Sequence, residues 1–99
     1  MKIQRVKSLF DIPYDEWSPT AKEEHRGKWS TFEDKEGKKY IMVILPCGHT
    51  ASLLTWNITG IDTDTPSATP SIFCRSPIID GKLSNCWHGY LTNGELKAI

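Results

Sequence analysis

Apolar and polar residues alternate over Lys2-Ile3-Gln4-Arg5-Val6-Lys7, the period of a half-buried edge strand. Leu9 to Trp17 loses that rhythm around Pro13. Ser18 to Gly27 then carries the chain's clearest helix signal. Ser18 is placed to cap, Pro19 suits a first turn, Thr20 and Glu23 suit a capping box, and Gly27 suits a left-handed stop. The pattern predicts a short helix of about two turns. From Lys28 onward the texture is β. Trp29 to Phe32 and Lys39 to Leu45 flank the turn-forming Asp34-Lys35-Glu36-Gly37, which predicts a hairpin. The second of these strands is apolar on both faces and belongs at the centre of a sheet. Pro46 ends it, Cys47-Gly48-His49 occupies the turn, and Ala51 to Trp56 returns. Asn57 to Pro70, rich in Thr, Asp, Gly and Pro, reads as an ordered loop with little regular structure. A short strand over Ser71 to Cys74, a turn at Asp80-Gly81 and a hairpin complete the chain. That hairpin, Cys86 to Leu91 and Glu95 to Ile99, is joined by Asn93-Gly94, a pair favoured in type I′ turns.

These elements predict an α+β, mostly β fold: a small antiparallel sheet of hairpins with one short N-terminal helix. Its 99 residues form one domain, residues 1–27 giving a strand and the helix, residues 28–99 the β core. A chain of this length buries roughly two-thirds of its unfolded surface, and small domains often add a metal or disulfides. The longest unbroken apolar run, Tyr40 to Leu45, is far below the roughly 20 residues of a membrane helix. The opening MKIQRVKSLF lacks the apolar stretch of a secretory signal. A cytoplasmic setting is expected, where paired cysteines suit a metal better than a disulfide. Twelve basic residues balance twelve acidic ones, so charge lends no support to a sequence-independent grip on nucleic acid.

Candidate chemistry lies in two matched units, Cys47-Gly48-His49 and Cys86-Trp87-His88. On a strand, residues i and i+2 share a face. Two neighbouring strands bearing Cys-x-His would therefore aim two sulfurs and two imidazoles at one point, a donor set that zinc favours. Cys47, His49, Cys86 and His88 are accordingly the expected ligands of a structural zinc, with Cys74 either packed in its strand or replacing one of them, most plausibly His49. Neither His49-Thr50-Ala51 nor His88-Gly89-Tyr90 carries the neighbouring acid used by zinc hydrolases and deaminases, so the site reads as structural rather than catalytic. Trp29 and Trp56 are expected in the core. Trp87, between two ligands, must point away from the metal. Trp17, with Tyr14 and Phe10 near it, is expected to staple the N-terminal segment onto the sheet. Tyr14, Trp17, Trp87 and Arg75 are the candidate contacts for a partner. His25 reads as a surface residue and Asp62 with Asp64 as a solvated turn.

The order Trp56, Thr59-Gly60, Pro66-Ser67-Ala68-Thr69-Pro70-Ser71-Ile72 and Cys86-Trp87-His88-Gly89-Tyr90-Leu91-Thr92-Asn93-Gly94 resembles a family of small phage-type zinc-chelating proteins. Relatives of that family also lie beside bacterial ubiquitin-like conjugation genes. The resemblance covers roughly Tyr40 to Leu96. It implies metal chelation through Cys47, Cys86 and His88, with His49 where many relatives carry Cys. It also implies a non-catalytic binding module in the bacterial cytoplasm, directed at a host or phage protein in host takeover or counter-defence. Two alternatives come from other classes. One is a zinc-dependent enzyme with an open Cys47, Cys86, His88 site and Glu95 or Asp80 as base. The other is a nucleotide or nucleic-acid binder using Arg5, Lys28, Lys38, Lys39 and Arg75.

Overall fold

The structure, a computed structural model, describes residues 1–18, 20–75 and 85–99, with side chains omitted at 74, 75, 85 and 86. Among the described residues, eight strands form two four-stranded sheets. The N-terminal sheet runs β1 (Gln4–Arg5), β2 (Lys28–Glu33), β3 (Lys39–Ile44), β4 (Thr50–Ser52) in that spatial order. The C-terminal sheet runs β5 (Asn57–Thr59), β6 (Ser67–Arg75), β7 (Asn85–Thr92), β8 (Glu95–Ala98). The mostly β character expected from the sequence is therefore present. Among the described residues no helix is long and apolar enough to cross a membrane.

β3 explains the layering. Its alternating side chains are apolar on both faces because both faces are covered. Ile41, Val43 and, just beyond the strand, Leu45 join Trp29, Leu53, Ala68, Ile72, Leu91 and Leu96 in the core between the sheets. Ile44 turns the other way and packs with Leu9, Trp17 and Ala21, supported by Met42 and Phe32. The N-terminal segment thus forms a third layer over the outer face of the first sheet. Trp17 is 5% exposed there, as a staple requires. Its indole N–H donates to the Ile12 carbonyl at 3.1 Å, and Phe10 and Tyr14 pack against its ring at 6.1 and 5.4 Å.

Local signals at the turns are realised. Asp34 Oδ1 accepts from the N–H groups of Glu36 and Lys38, closing the β2–β3 hairpin. Asn93 and Gly94 both adopt positive φ (49° and 75°), as a type I′ turn demands.

Two expectations are corrected. Ser18 to Gly27 is not a helix. The α-helix is the single turn α1, Tyr14–Trp17, and Ser18 ends it in extended conformation (φ −134°, ψ 139°). The residue before a proline is biased against helical backbone, which fits the extended Ser18. Ala21 N–H then donates to Gly48 O at 2.7 Å and Lys22 N–H to Glu16 O at 2.9 Å, contacts incompatible with a continuous helix. Glu23–His25 keeps only a 3-10 turn. The second correction concerns Asn57 to Pro70. Its ends are strands: Asn57, Ile58 and Thr59 of β5 pair with Thr69, Ala68 and Ser67 of β6. The expected short strand at 71–74 is the far half of this nine-residue strand. The Asp80-Gly81 turn lies outside the described residues.

The first five residues strap the two sheets together. Ile3 N–H donates to Gly94 O, and Leu96 N–H donates to Met1 O, at the β8 edge. Gln4 and Arg5 then pair in parallel with Lys28 and Trp29 of β2. The edge strand read from the sequence is thus a bridge between sheets.

Candidate functional site

On the side opposite this strap, the edge strand β4 and the upper half of β6 face one another across a cleft of about 540 Å³. Its walls are Tyr14, Trp17 and Ser18 from the N-terminal layer, His49 to Ser52 from the β3–β4 turn and β4, and Trp56, Ile72 and Phe73. Among the described residues, no Asp, Glu, Lys or Arg lines it. Tyr14 is 67% exposed and Phe73 44%, so both rings are accessible, while Trp17 contributes one edge of a buried ring. The Trp56 indole N–H donates to Pro70 O at 3.0 Å, which holds that ring beside β6.

Strand phase decides which side chains meet. In β7, Trp87 packs against the inter-sheet core. His88 stands on the outer face, directly opposite Phe73 of β6. Their rings contact edge to face at 5.1 Å, and His88 Nε2 lies 3.1 Å from Ser71 Oγ. Cys47 sits in the β3–β4 turn, where Gly48 takes φ +92° and its N–H donates to Leu45 O. A side chain at Gly48 would meet Thr20 Cγ2 at 2.8 Å. Glycine between Cys47 and His49 thus follows from close approach of the N-terminal layer as well as from backbone conformation.

Cys47 is disulfide-bonded and packs against the inter-sheet core. A sulfur in a disulfide is not the thiolate that ligates zinc. Of the four expected ligands, the structure places Cys47 and His49 on one turn and His88 on the outer face of β7. The side chain of Cys86, like that of Arg75, lies outside the described set.

Among the described residues, one group of three metal-capable side chains lies within 4.8 Å: Glu16, Glu24 and His25. Its hydrogen bonding is internal. Lys28 Nζ lies 3.0 Å from His25 Nδ1, and Glu16 Oε1 lies 3.0 Å from Nε2. An ammonium only donates, so Nδ1 accepts and Nε2–H donates to Glu16. That bond is the main reason the Glu16 carboxyl is held below its ordinary value, with Lys22, His25 and Lys28 adding smaller electrostatic contributions against partial desolvation. The lysine already supplies the positive charge a cation would bring.

Comparison with known proteins finds no matching family model, curated protein or solved structure. Function must therefore be argued from the site itself.

Three of the cationic residues considered for nucleic acid have partners within the fold. Arg5 lies 5.3 Å above the buried Trp29 ring and donates to Asp62 O, Lys39 pairs with Asp62 at 3.2 Å, and Lys28 serves His25. Of the candidate partner contacts, Tyr14 and Trp17 do line the cleft, whereas Trp87 is turned to the core. Phe73, Trp56, Thr50 and Ser52 escaped the sequence reading. A signal existed for Phe73: alternation through Ser71-Ile72-Phe73 places it opposite the buried Ile72. Trp56, expected in the core, packs against it half-buried and also lines the cleft.

Proposed function

We propose that this protein is a small binding module that acts on another protein through the cleft between β4 and β6, without catalysis. The observation that carries the reading is the character of that cleft: accessible Tyr14 and Phe73 rings flank a half-buried Trp56, and none of the described lining residues is charged. Aromatic anchors around a desolvated centre are what protein interfaces concentrate. General acid–base work needs titratable partners within hydrogen-bond reach of a substrate. Here the described lining residues offer one imidazole and several hydroxyls, and no carboxylate or amine is among them.

The resemblance to phage-type proteins directs the proposal towards a host or phage protein as partner. The test is affinity capture with tagged protein from the bacterial host. A stoichiometric partner retained by wild type and lost by both Tyr14→Ala and Phe73→Ala, each with an unchanged unfolding midpoint, supports the reading. Equal retention by the Tyr14→Ala/Phe73→Ala double variant overturns it.

A second reading concerns the scaffold. The disulfide at Cys47 brings a second sulfur to the turn that also carries His49. We propose that in the reduced protein Cys47, His49, Cys86 and His88 hold a structural zinc. Two thiolates with two imidazoles are a donor set of the right softness and number for it.

A further inference from the structure

We infer that the occupant of the cleft is an extended, uncharged peptide segment that pairs with the edge of β4, which no strand covers among the described residues. This deepens the binding-module reading and rests on it. The phase of the β3–β4 ladder is set by Leu45 N–H donating to His49 O and Leu53 N–H donating to Ile41 O, both at 2.8 Å. With Val43 opposite Ala51, the hydrogen-bonded pairs are 45/49, 43/51 and 41/53, and the intervening residues point their main-chain groups outward. Ile44 shows this on the β3 side, since its carbonyl accepts from Gly27 N–H rather than from β4. Thr50 and Ser52 are the matching residues of β4. Their N–H and C=O groups therefore face the cleft, two donors and two acceptors repeating at about 7 Å.

A row of main-chain donors and acceptors at that spacing recognises another extended backbone. Side-chain chemistry agrees. Ala51 faces the inter-sheet core while Thr50 and Ser52 face the other way, so successive residues of an incoming strand would meet Trp56 and Ile72 on one side and Tyr14 on the other. With no ionic partner among the described lining residues, a charged residue beside them would be desolvated without compensation. The molecule uses the same solution on its far side, where residues 1–5 bridge β8 and β2 as one extended strand. The β4 side is the matching seam with no such strand among the described residues.

The test uses a display library of nine-residue linear peptides on the intact, folded protein, with the enriched consensus synthesised for titration. Expected are uncharged sequences with alternating apolar residues. Their binding should slow hydrogen exchange at the Thr50 and Ser52 amides. N-methylation of the peptide at one alternate set of positions should weaken binding at least tenfold, and at the other set should not. Ser52→Pro, which removes an outward-facing donor without touching the β3 ladder, should also cost at least tenfold, while Ser52→Ala keeps affinity. Enrichment of charged peptides, equal tolerance of N-methylation at both sets, or dimerisation through β4 in place of peptide binding overturns the inference. Partner capture that needs Tyr14 and Phe73 but ignores Ser52→Pro leaves the binding module standing and removes only the strand-pairing mode.

Discussion

Gly89 shows how one residue can be dictated by its neighbours. A Cβ at this position would meet the Lys97 carbonyl and would lie 2.6 Å from Trp87 Cζ2. The glycine after His88 is therefore explained by packing, because the Trp87 indole folds back over it. Gly89→Ala should destabilise the protein by about 1–3 kcal/mol, as overpacking does, measured as a lower midpoint in urea with an unchanged slope. An equally stable variant would mean that Trp87 can swing aside. Glu16 gives a prediction of a different kind. Its carboxyl is held below the ordinary 4.5, chiefly by the hydrogen bond from His25. A lowered folded-state value means the contribution is present above the unfolded value and is lost as pH falls through the folded one. Thermal midpoints should thus fall from pH 5 towards pH 3, and Glu16→Gln should flatten part of that slope. Parallel slopes for the two proteins would show that Glu16 is not responsible.

Among the elements, the N-terminal layer is the one whose attachment can be separated from the rest. Leu9 is fully buried against Ile44 and Trp17, and its N–H donates to the buried Ser30 Oγ at 3.1 Å. Leu9→Ala should cost about 2–5 kcal/mol. Amide exchange should accelerate over residues 8–26 while the β7–β8 hairpin stays protected; uniform acceleration would mean that the layer does not open alone. How legible each element was follows from where its information resides. The β2–β3 and β7–β8 hairpins could be read because their cause is local, in alternation plus Asp34-Gly37 and Asn93-Gly94. The doubly apolar β3 could be read because both its covers leave apolar side chains behind. Ser18 to Gly27 misled because capping residues describe a local preference, while the pairing of Ala21 with Gly48 is a long-range fact. β5 was missed because Thr and Asn beside Gly60 resemble a turn, and only pairing with β6 makes them a strand. The cleft itself was half visible. Tyr14 and Trp17 stood out as aromatics, but the place of Thr50 and Ser52 on a sheet edge leaves no mark in a sequence at all.

For the molecule as a whole, the decisive quantity is the state of the Cys47 sulfur. As half of a disulfide it contributes mainly by restricting the unfolded chain, typically about 2–4 kcal/mol. As a thiolate on zinc it would take part in an apparent binding energy on the order of 10 kcal/mol at neutral pH. The two uses exclude one another, because zinc ligation requires the reduced, deprotonated sulfur. They also differ in compartment, since disulfides are rare in a reducing cytosol and persist in oxidising surroundings. The prediction is that protein purified under reducing conditions carries about one zinc per chain by elemental analysis. Chelator should then unfold the reduced protein and leave the oxidised protein nearly unaffected, followed by circular dichroism. Cys86→Ser should remove the metal and most soluble expression. Reduced protein that stays folded without zinc would sink the zinc clasp. Such a result would leave the two packed cores and the residue 1–5 strap to hold the sheets around the cleft.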